Sequence, residues 1–156
     1  MARSSTGNMN AQTILAPVST PDECPDLLTG IQKIVSGTID VIFVHVIPVD
    51  LLNPLRRSHD SLRSQAIRTL RESAEQELKS ILQNMTTASE VNLQSMVVEG
   101  APYIEIIKLS HDLKVDMIAM RMRSSKSDFE KLEKLMFGGT SERVVRGSTL
   151  PVLCLP

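Results

Sequence analysis

The segment Ile39–Pro48, with the sequence IDVIFVHVIP, constrains the fold more than any other part of the chain. Its apolar side chains are almost consecutive, and Asp40 and His45 are the only polar residues among them. An alternating pattern indicates a strand buried on one face, whereas a continuous apolar run of this length is typical of a strand buried on both faces. Such strands occur mainly in parallel sheets that carry helices on both sides. The segment therefore predicts an α/β protein.

The remaining segments alternate between strand-like and helix-like patterns. Short apolar runs predict further strands at 11–18, 90–98, 115–120 and 150–155. Helical spacing of apolar residues predicts helices between them, at 19–37, 58–85, 100–113, 126–137 and 141–146. This order predicts a doubly wound, open, parallel five-stranded sheet with helices on both faces. We expect residues 1–10 to form a flexible polar tail and residues 11–156 to form a single α/β domain.

The apolar stripes of the two longest predicted helices define their expected buried faces. The first stripe consists of Leu27, Leu28, Ile31, Ile34 and Val35. The second consists of Leu62, Ala66, Leu70, Ala74, Leu78 and Ile81. Residues spaced three and four apart lie on one side of a helix, so both stripes are expected to face the sheet.

Composition narrows the range of partners and cofactors. The 156 residues carry 17 basic and 18 acidic side chains, so the net charge of −1 favours neither nucleic acid nor a membrane surface as a partner. Residues 1–10 contain no apolar core of a secretory signal, and no segment has the length of a membrane span. Cys24 and Cys154 form no metal-binding or redox motif, and two reduced thiols are consistent with a cytoplasmic protein.

Four blocks of the sequence resemble the universal stress protein family. They are TILAPVSTPDE, FVHVIP, VVEGAPYIEIIKLSHDLKVDMIAM and GGTSERVVRGSTLPVLCLP, and the resemblance covers residues 11–156. It implies a sheet in the order 3-2-1-4-5, a homodimer and a cytoplasmic role in the stress response. Many members of this family bind ATP and others do not, and the family is not a group of enzymes that share one reaction.

The glycine-rich phosphate loop of ATP-binding members is altered in this chain. After the fourth strand these members carry a glycine, two residues, a second glycine, about nine residues, and a glycine followed by Ser or Thr. Here the first two glycine positions are Arg121 and Ser124, and a longer segment follows. Gly138 matches the third glycine, but Gly139 occupies the hydroxyl position. Ser19 occupies the position of the family's acidic residue, which holds the ribose or a metal ion.

These differences leave two interpretations of the cleft. In the first, the protein is a non-catalytic stress-response protein with a degenerate nucleotide cleft, and neither ATP nor another cofactor binds in the usual way. In the second, the cleft binds ATP or another adenine nucleotide through a modified loop, with Arg121, Arg123 and Ser124 near the phosphates. A catalytic role is less favoured, because the HxGH motif and the glycine-serine loop of related enzymes are both lacking. The candidate binding residues are Pro17, Val18, Ser19, Val46, Met120, Arg121, Arg123, Ser124, Gly138, Gly139, Thr140 and Ser141.

The last strand predicts how two copies associate. It is apolar on both faces and is expected at the edge of the sheet, where an open strand invites pairing with another chain. We expect a homodimer with two-fold symmetry, formed by Leu150, Val152, Leu153, Cys154 and Leu155. Within this strand Cys154 is expected to be a small buried apolar residue.

Overall fold

The computed structural model describes residues 11–49, 60–85, 87–122 and 139–156. The strands are β1 (Gln12–Pro17), β2 (Ile39–Pro48), β3 (Val91–Gly100), β4 (Met117–Arg121) and β5 (Val152–Leu155). The helices are α1 (Cys24–Ile34), α2 (Asp60–Asn84), α3 (Pro102–Asp112) and α4 (Thr140–Gly147), and a single 3-10 turn, Pro21–Glu23, precedes α1. The expected tail at 1–10, the loop after β2 and the expected helix at 126–137 lie outside the described residues.

The five strands form one parallel sheet in the order β3-β2-β1-β4-β5. The predicted fold and strand order are therefore confirmed. Helices α1 and α2 cover one face of the sheet, where they pack on a core that contains Phe43 and Leu78. Helices α3 and α4 cover the other face, where Ile106 and Val144 are buried.

The continuous apolar run in β2 reflects burial on both faces, as expected. Val41 and Phe43 belong to the core beneath α1 and α2, whereas Val44 and Val46 belong to the core beneath α3 and α4. The strand lies between β1 and β3 and pairs with both along most of its length. Two neighbouring strands and two covered faces remove almost all of β2 from water, and this explains why so few of its residues are polar.

A reciprocal pair of hydrogen bonds joins β1 to the start of β4. The backbone N–H of Thr13 donates to Oδ2 of Asp116 at 2.7 Å. The backbone N–H of Asp116 donates in turn to the carbonyl of Thr13 at 2.8 Å. These two bonds fix the register of β1 and β4 at their amino ends. The carboxyl ends of the same strands border the cleft described below.

Three expectations about burial were wrong. Ile34 is 60% exposed because α1 ends at this residue, and Val35, in extended backbone, packs against the core instead. Leu62 and Leu70 are about half exposed, because only the C-terminal half of α2 packs closely on the sheet through Ala74 and Leu78. Cys154 is exposed, since β5 has one neighbouring strand and forms the open edge of the sheet.

The two thiols should differ sharply in reactivity. Burial, with a smaller contribution from the Asp22 carboxylate, raises the pKa of the Cys24 thiol from 9.0 to about 12. The thiolate is the reactive form, so Cys24 should resist Ellman's reagent in the native protein while Cys154 reacts. Unfolding should expose both thiols. A Cys154→Ser variant that still reacted rapidly when native would contradict this expectation.

The same pKa shift predicts how stability depends on alkaline pH. The unfolded thiol ionises near pH 9.0, whereas the folded one remains protonated up to about pH 12. The unfolded state therefore binds fewer protons in this interval, and the free energy of unfolding should fall as pH rises through it. Urea denaturation of the wild type and of Cys24→Ala across this interval should show a shallower decline in the variant.

Candidate functional site

A cleft of about 670 Å³ opens at the carboxyl ends of β1, β2 and β4. The chain leaves β1 towards α1 on one face of the sheet, whereas the segment after β4 leads to α4 on the other face. The strand order reverses direction between β1 and β4, and ligands of open α/β sheets bind at such a switch point. The volume lies within the range of roughly 300–1,000 Å³ that is usual for small-molecule sites.

The floor of the cleft is apolar and its rim is polar. Val18, Val46 and Met120 are each almost fully buried at the strand ends and line the floor. Ser19 and Thr20 lie at the rim on the side of β1, while Thr140 and Ser141 lie at the rim on the side of α4. This is the usual composition of a small-molecule site, in which an apolar surface carries a few polar groups that orient the ligand.

The start of α4 contributes backbone amides to the rim. Gly139 is the N-cap residue, and no side chain caps the helix there. Gly139, Thr140 and Ser141 all line the cleft. The first N–H groups of a helix have no acceptor within the helix and attract negative charge.

Most of the residues predicted from the sequence come together in this cleft. Those that line it are Pro17, Val18, Ser19, Val46, Met120, Arg121, Gly139, Thr140 and Ser141. Arg123, Ser124 and Gly138, which were predicted to belong to the same site, lie outside the described residues.

Arg121 lines the cleft but makes an ion pair outside it. Alternation along β4 places Met120 on the face covered by α3 and α4, and Arg121 on the face covered by α1. Its Nη1 atom lies 3.5 Å from Oδ2 of Asp26, a residue of α1 whose side chain is 76% exposed. An ion pair this exposed contributes about 0–1 kcal/mol, so it orients the arginine only weakly.

Sequence reasoning did not assign Glu23 to the cleft. Glu23 ends the 3-10 turn, lines the cleft and is only 8% exposed. The backbone N–H of Ser19 donates to its Oε2 atom at 3.2 Å. In the sequence, Glu23 cannot be distinguished from an ordinary acidic residue near the start of a helix. The 3-10 turn places its carboxylate next to the backbone N–H of Ser19.

His45 also lines the cleft. Its Nδ1 atom lies 3.2 Å from the carbonyl oxygen of Val18. One side of α2 also lines the cleft, and we call this surface the α2 wall; it consists of Leu70, Ser73, Ala74 and Glu77. Among the described residues, no group of three or more His, Cys, Asp or Glu side chains is placed to hold a metal ion.

The parallel sheet, its strand order and the cleft at the switch point define a doubly wound α/β protein with a ligand cleft. The family model described as "Universal stress protein family" matches residues 10–156, and the chain belongs to this family. The search of curated proteins gave no match. No helix within the described ranges has both the length and the apolar character needed to cross a membrane.

Solved structures with the same fold include several universal stress proteins. The hypothetical protein MJ0577 is 22% identical with a TM-score of 0.72, and the match covers 92% of this chain and 94% of that protein. UspA from Lactobacillus plantarum is 17% identical with a TM-score of 0.60, covering 96% and 100%. A universal stress protein in complex with cAMP is 13% identical with a TM-score of 0.53, covering 92% and 95%. At these identities the similarity shows the fold.

Proposed function

We propose that this protein is a non-catalytic stress-response protein whose cleft does not bind ATP in the usual mode of its family. Arg121 is the observation that carries the proposal. It occupies the first glycine position of the phosphate loop, at the last residue of β4, and it lines the cleft. A glycine there lets a phosphate approach the main chain closely, whereas any side chain at this position hinders that approach.

Two further residues support the loss of the usual phosphate site. Gly139 stands where a Ser or Thr hydroxyl would contact phosphate, so the start of α4 offers amides alone at that position. Ser19, in the place of an acidic residue, has no charge with which to hold a magnesium ion. Because each change removes a different contact, their effects on triphosphate affinity should accumulate.

A second candidate function is an adenine-nucleotide-binding switch with a modified phosphate loop. The open cleft and the uncapped start of α4 favour it. A protein of the same fold was solved in complex with cAMP. In this function Arg121 would leave Asp26 and pair with a phosphate, for which its planar guanidinium is well suited.

Isothermal titration with Mg-ATP distinguishes the two functions. We expect no binding in the micromolar range and no ATP carried through purification. A micromolar dissociation constant would overturn the proposal and favour the second function. In that case Arg121→Ala should weaken binding, whereas Asp26→Asn, which releases the arginine, should tighten it by up to about fivefold.

We further propose a cytoplasmic homodimer that forms through β5 and binds neither nucleic acid nor membranes. The edge position of β5 and the exposure of Cys154 support this arrangement. The net charge of −1 supports the absence of nucleic-acid binding.

A further inference from the structure

The apolar part of the cleft extends from the strand ends to α2. Val18, Val46 and Met120 form its floor, and the α2 wall adds Leu70 and Ala74. Leu70 is 46% exposed although it is large and apolar, so its side chain is available to a ligand. The described apolar residues that line the cleft are aliphatic residues, Met120 and prolines. This lining offers an alkyl chain a surface on which it can leave water.

The start of α4 supplies hydrogen-bond donors to the same cleft. The first hydrogen bond of the helix runs from the N–H of Arg143 to the carbonyl of Gly139 at 3.1 Å. The N–H groups of Thr140, Ser141 and Glu142 precede this bond, so they have no acceptor within the helix. Thr140 and Ser141 line the cleft. Amides at the start of a helix attract negative charge, so this end of the cleft is suited to an anionic group.

The charged side chains around the cleft favour one negative charge over several. Arg121 lines the cleft, and its partner Asp26 is 76% exposed, so solvent screens their ion pair and the arginine still attracts another anion. Glu23, beside Ser19, and Glu77, on the α2 wall, line the cleft as well. Two carboxyl groups in the lining disfavour a ligand with several negative charges. A single carboxylate at the start of α4 therefore suits the cleft better than three phosphates.

We propose that the cleft binds an organic monoanion, a carboxylate on an unbranched alkyl chain of the medium-chain fatty acid type. The carboxylate binds at the start of α4, and the alkyl chain lies on the floor and against the α2 wall. Hydrogen bonds from amides to an ionised oxygen are stronger than those between neutral groups, and each methylene that leaves water raises the affinity by up to roughly fourfold. The inference rests on the proposed function, because the substitutions that weaken the usual triphosphate contacts leave these amides and the apolar lining in place.

The first test compares octanoate, octanol, acetate and Mg-ATP by isothermal titration with the wild type. Octanol has the same alkyl chain without the charge, and we expect octanoate to bind roughly tenfold more tightly. Acetate has the charge without the chain, and we expect no binding at millimolar concentration. These comparisons require no substitution, so they do not depend on the folding of a variant.

The variant Leu70→Ala tests the contact of the alkyl chain with α2. Octanoate should bind roughly fivefold more weakly, because part of the apolar surface that covers its chain is lost. Leu62→Ala is the matched control, since Leu62 belongs to the same helix and is 48% exposed but is not among the described residues that line the cleft. Its affinity for octanoate should equal that of the wild type.

A pair of variants at Thr140 tests the amides of α4. Thr140 is the first residue of the helix, and Gly139 before it is extended, so proline fits at position 140. Thr140→Pro removes the N–H and the hydroxyl, whereas Thr140→Val removes the hydroxyl alone. Octanoate should bind roughly fivefold more weakly to Thr140→Pro than to Thr140→Val, while octanol should bind equally to both.

The inference and the proposed function fail in different ways. Octanoate that does not bind at millimolar concentration, or that binds no better than octanol or acetate, overturns the inference. Equal octanoate affinity of the wild type and a folded Leu70→Ala variant, or of the two folded Thr140 variants, overturns it as well. Micromolar binding of Mg-ATP to the wild type overturns the proposed function whatever the octanoate result.

Discussion

Replacing Cys154 with proline is expected to convert the proposed homodimer into a monomer. The carbonyls of Pro151 and Leu155 accept hydrogen bonds from the N–H groups of Ile118 and Met122, and so point towards β4. Because backbone groups alternate along a strand, the N–H and C=O groups of Val152 and Cys154 point away from β4, towards the open edge. Proline at 154 therefore removes a donor from the dimer contact and none from the sheet.

The expected loss follows from the symmetry of the contact. Each protomer of an isologous dimer loses the same hydrogen bond, and the proline ring also obstructs the approach of the second strand. A total loss of about 2–4 kcal/mol in the free energy of dimerisation would raise the dissociation constant of the dimer by roughly 30- to 1000-fold. Sedimentation velocity at micromolar concentration should show a dimer for the wild type and a monomer for the variant.

Cys154→Ser is the control for this experiment, because it changes the exposed thiol and leaves the backbone N–H in place. It should sediment as a dimer. A wild-type protein that is monomeric at micromolar concentration, or a Cys154→Pro variant that remains dimeric, would show that the edge of β5 is not the contact.

Replacing Phe43 with alanine should strongly destabilise the folded protein. Phe43 is fully buried in the central part of the sheet, in the core beneath α1 and α2. Truncating a buried phenylalanine costs about 3–5 kcal/mol, from lost burial and from the cavity that remains. For a domain of this size each kcal/mol lowers Tm by roughly 2–4 °C, so thermal unfolding should shift by roughly 6–20 °C.

Ile34→Ala is the matched control for Phe43→Ala. It also truncates a large apolar side chain, but Ile34 is largely exposed at the end of α1. Its effect should stay within about 0.5 kcal/mol, as is usual for surface substitutions. Equal losses in the two variants would mean that the core does not lie where the structure places it.

The sheet could be predicted from the sequence because a strand that is buried on both faces consists of nearly consecutive apolar residues. The continuous apolar run of β2 indicates a parallel sheet whatever the details of its helices. The order of the strands came from the family resemblance and was confirmed by the pairing of β1 with both β2 and β4. The apolar stripes of the helices were less reliable predictors of burial. Ile34 and Leu62 fit the helical spacing of their stripes, but this spacing does not show where a helix ends or where it leaves the sheet.

The cleft could be predicted where its residues lie at strand ends or within the blocks that carry the family resemblance. Val18, Val46 and Met120 follow from the strands and from the resemblance. Glu23 could not be found in this way, since its role depends on a 3-10 turn that returns its carboxylate to Ser19. The ion pair between Arg121 and Asp26 joins residues far apart in sequence, and it depends on which face of β4 the arginine occupies.

The close packing of Gly30 against Leu155 connects the first helix to the surface where two copies would meet. A Cβ atom at position 30 would lie 2.7 Å from Cδ1 of Leu155, so any larger residue must push the terminal strand outward or turn that leucine. The angle between two protomers joined at this strand would change with such a displacement. In the proposed dimer, a substitution at position 30 would therefore act on the contact between protomers through Leu155.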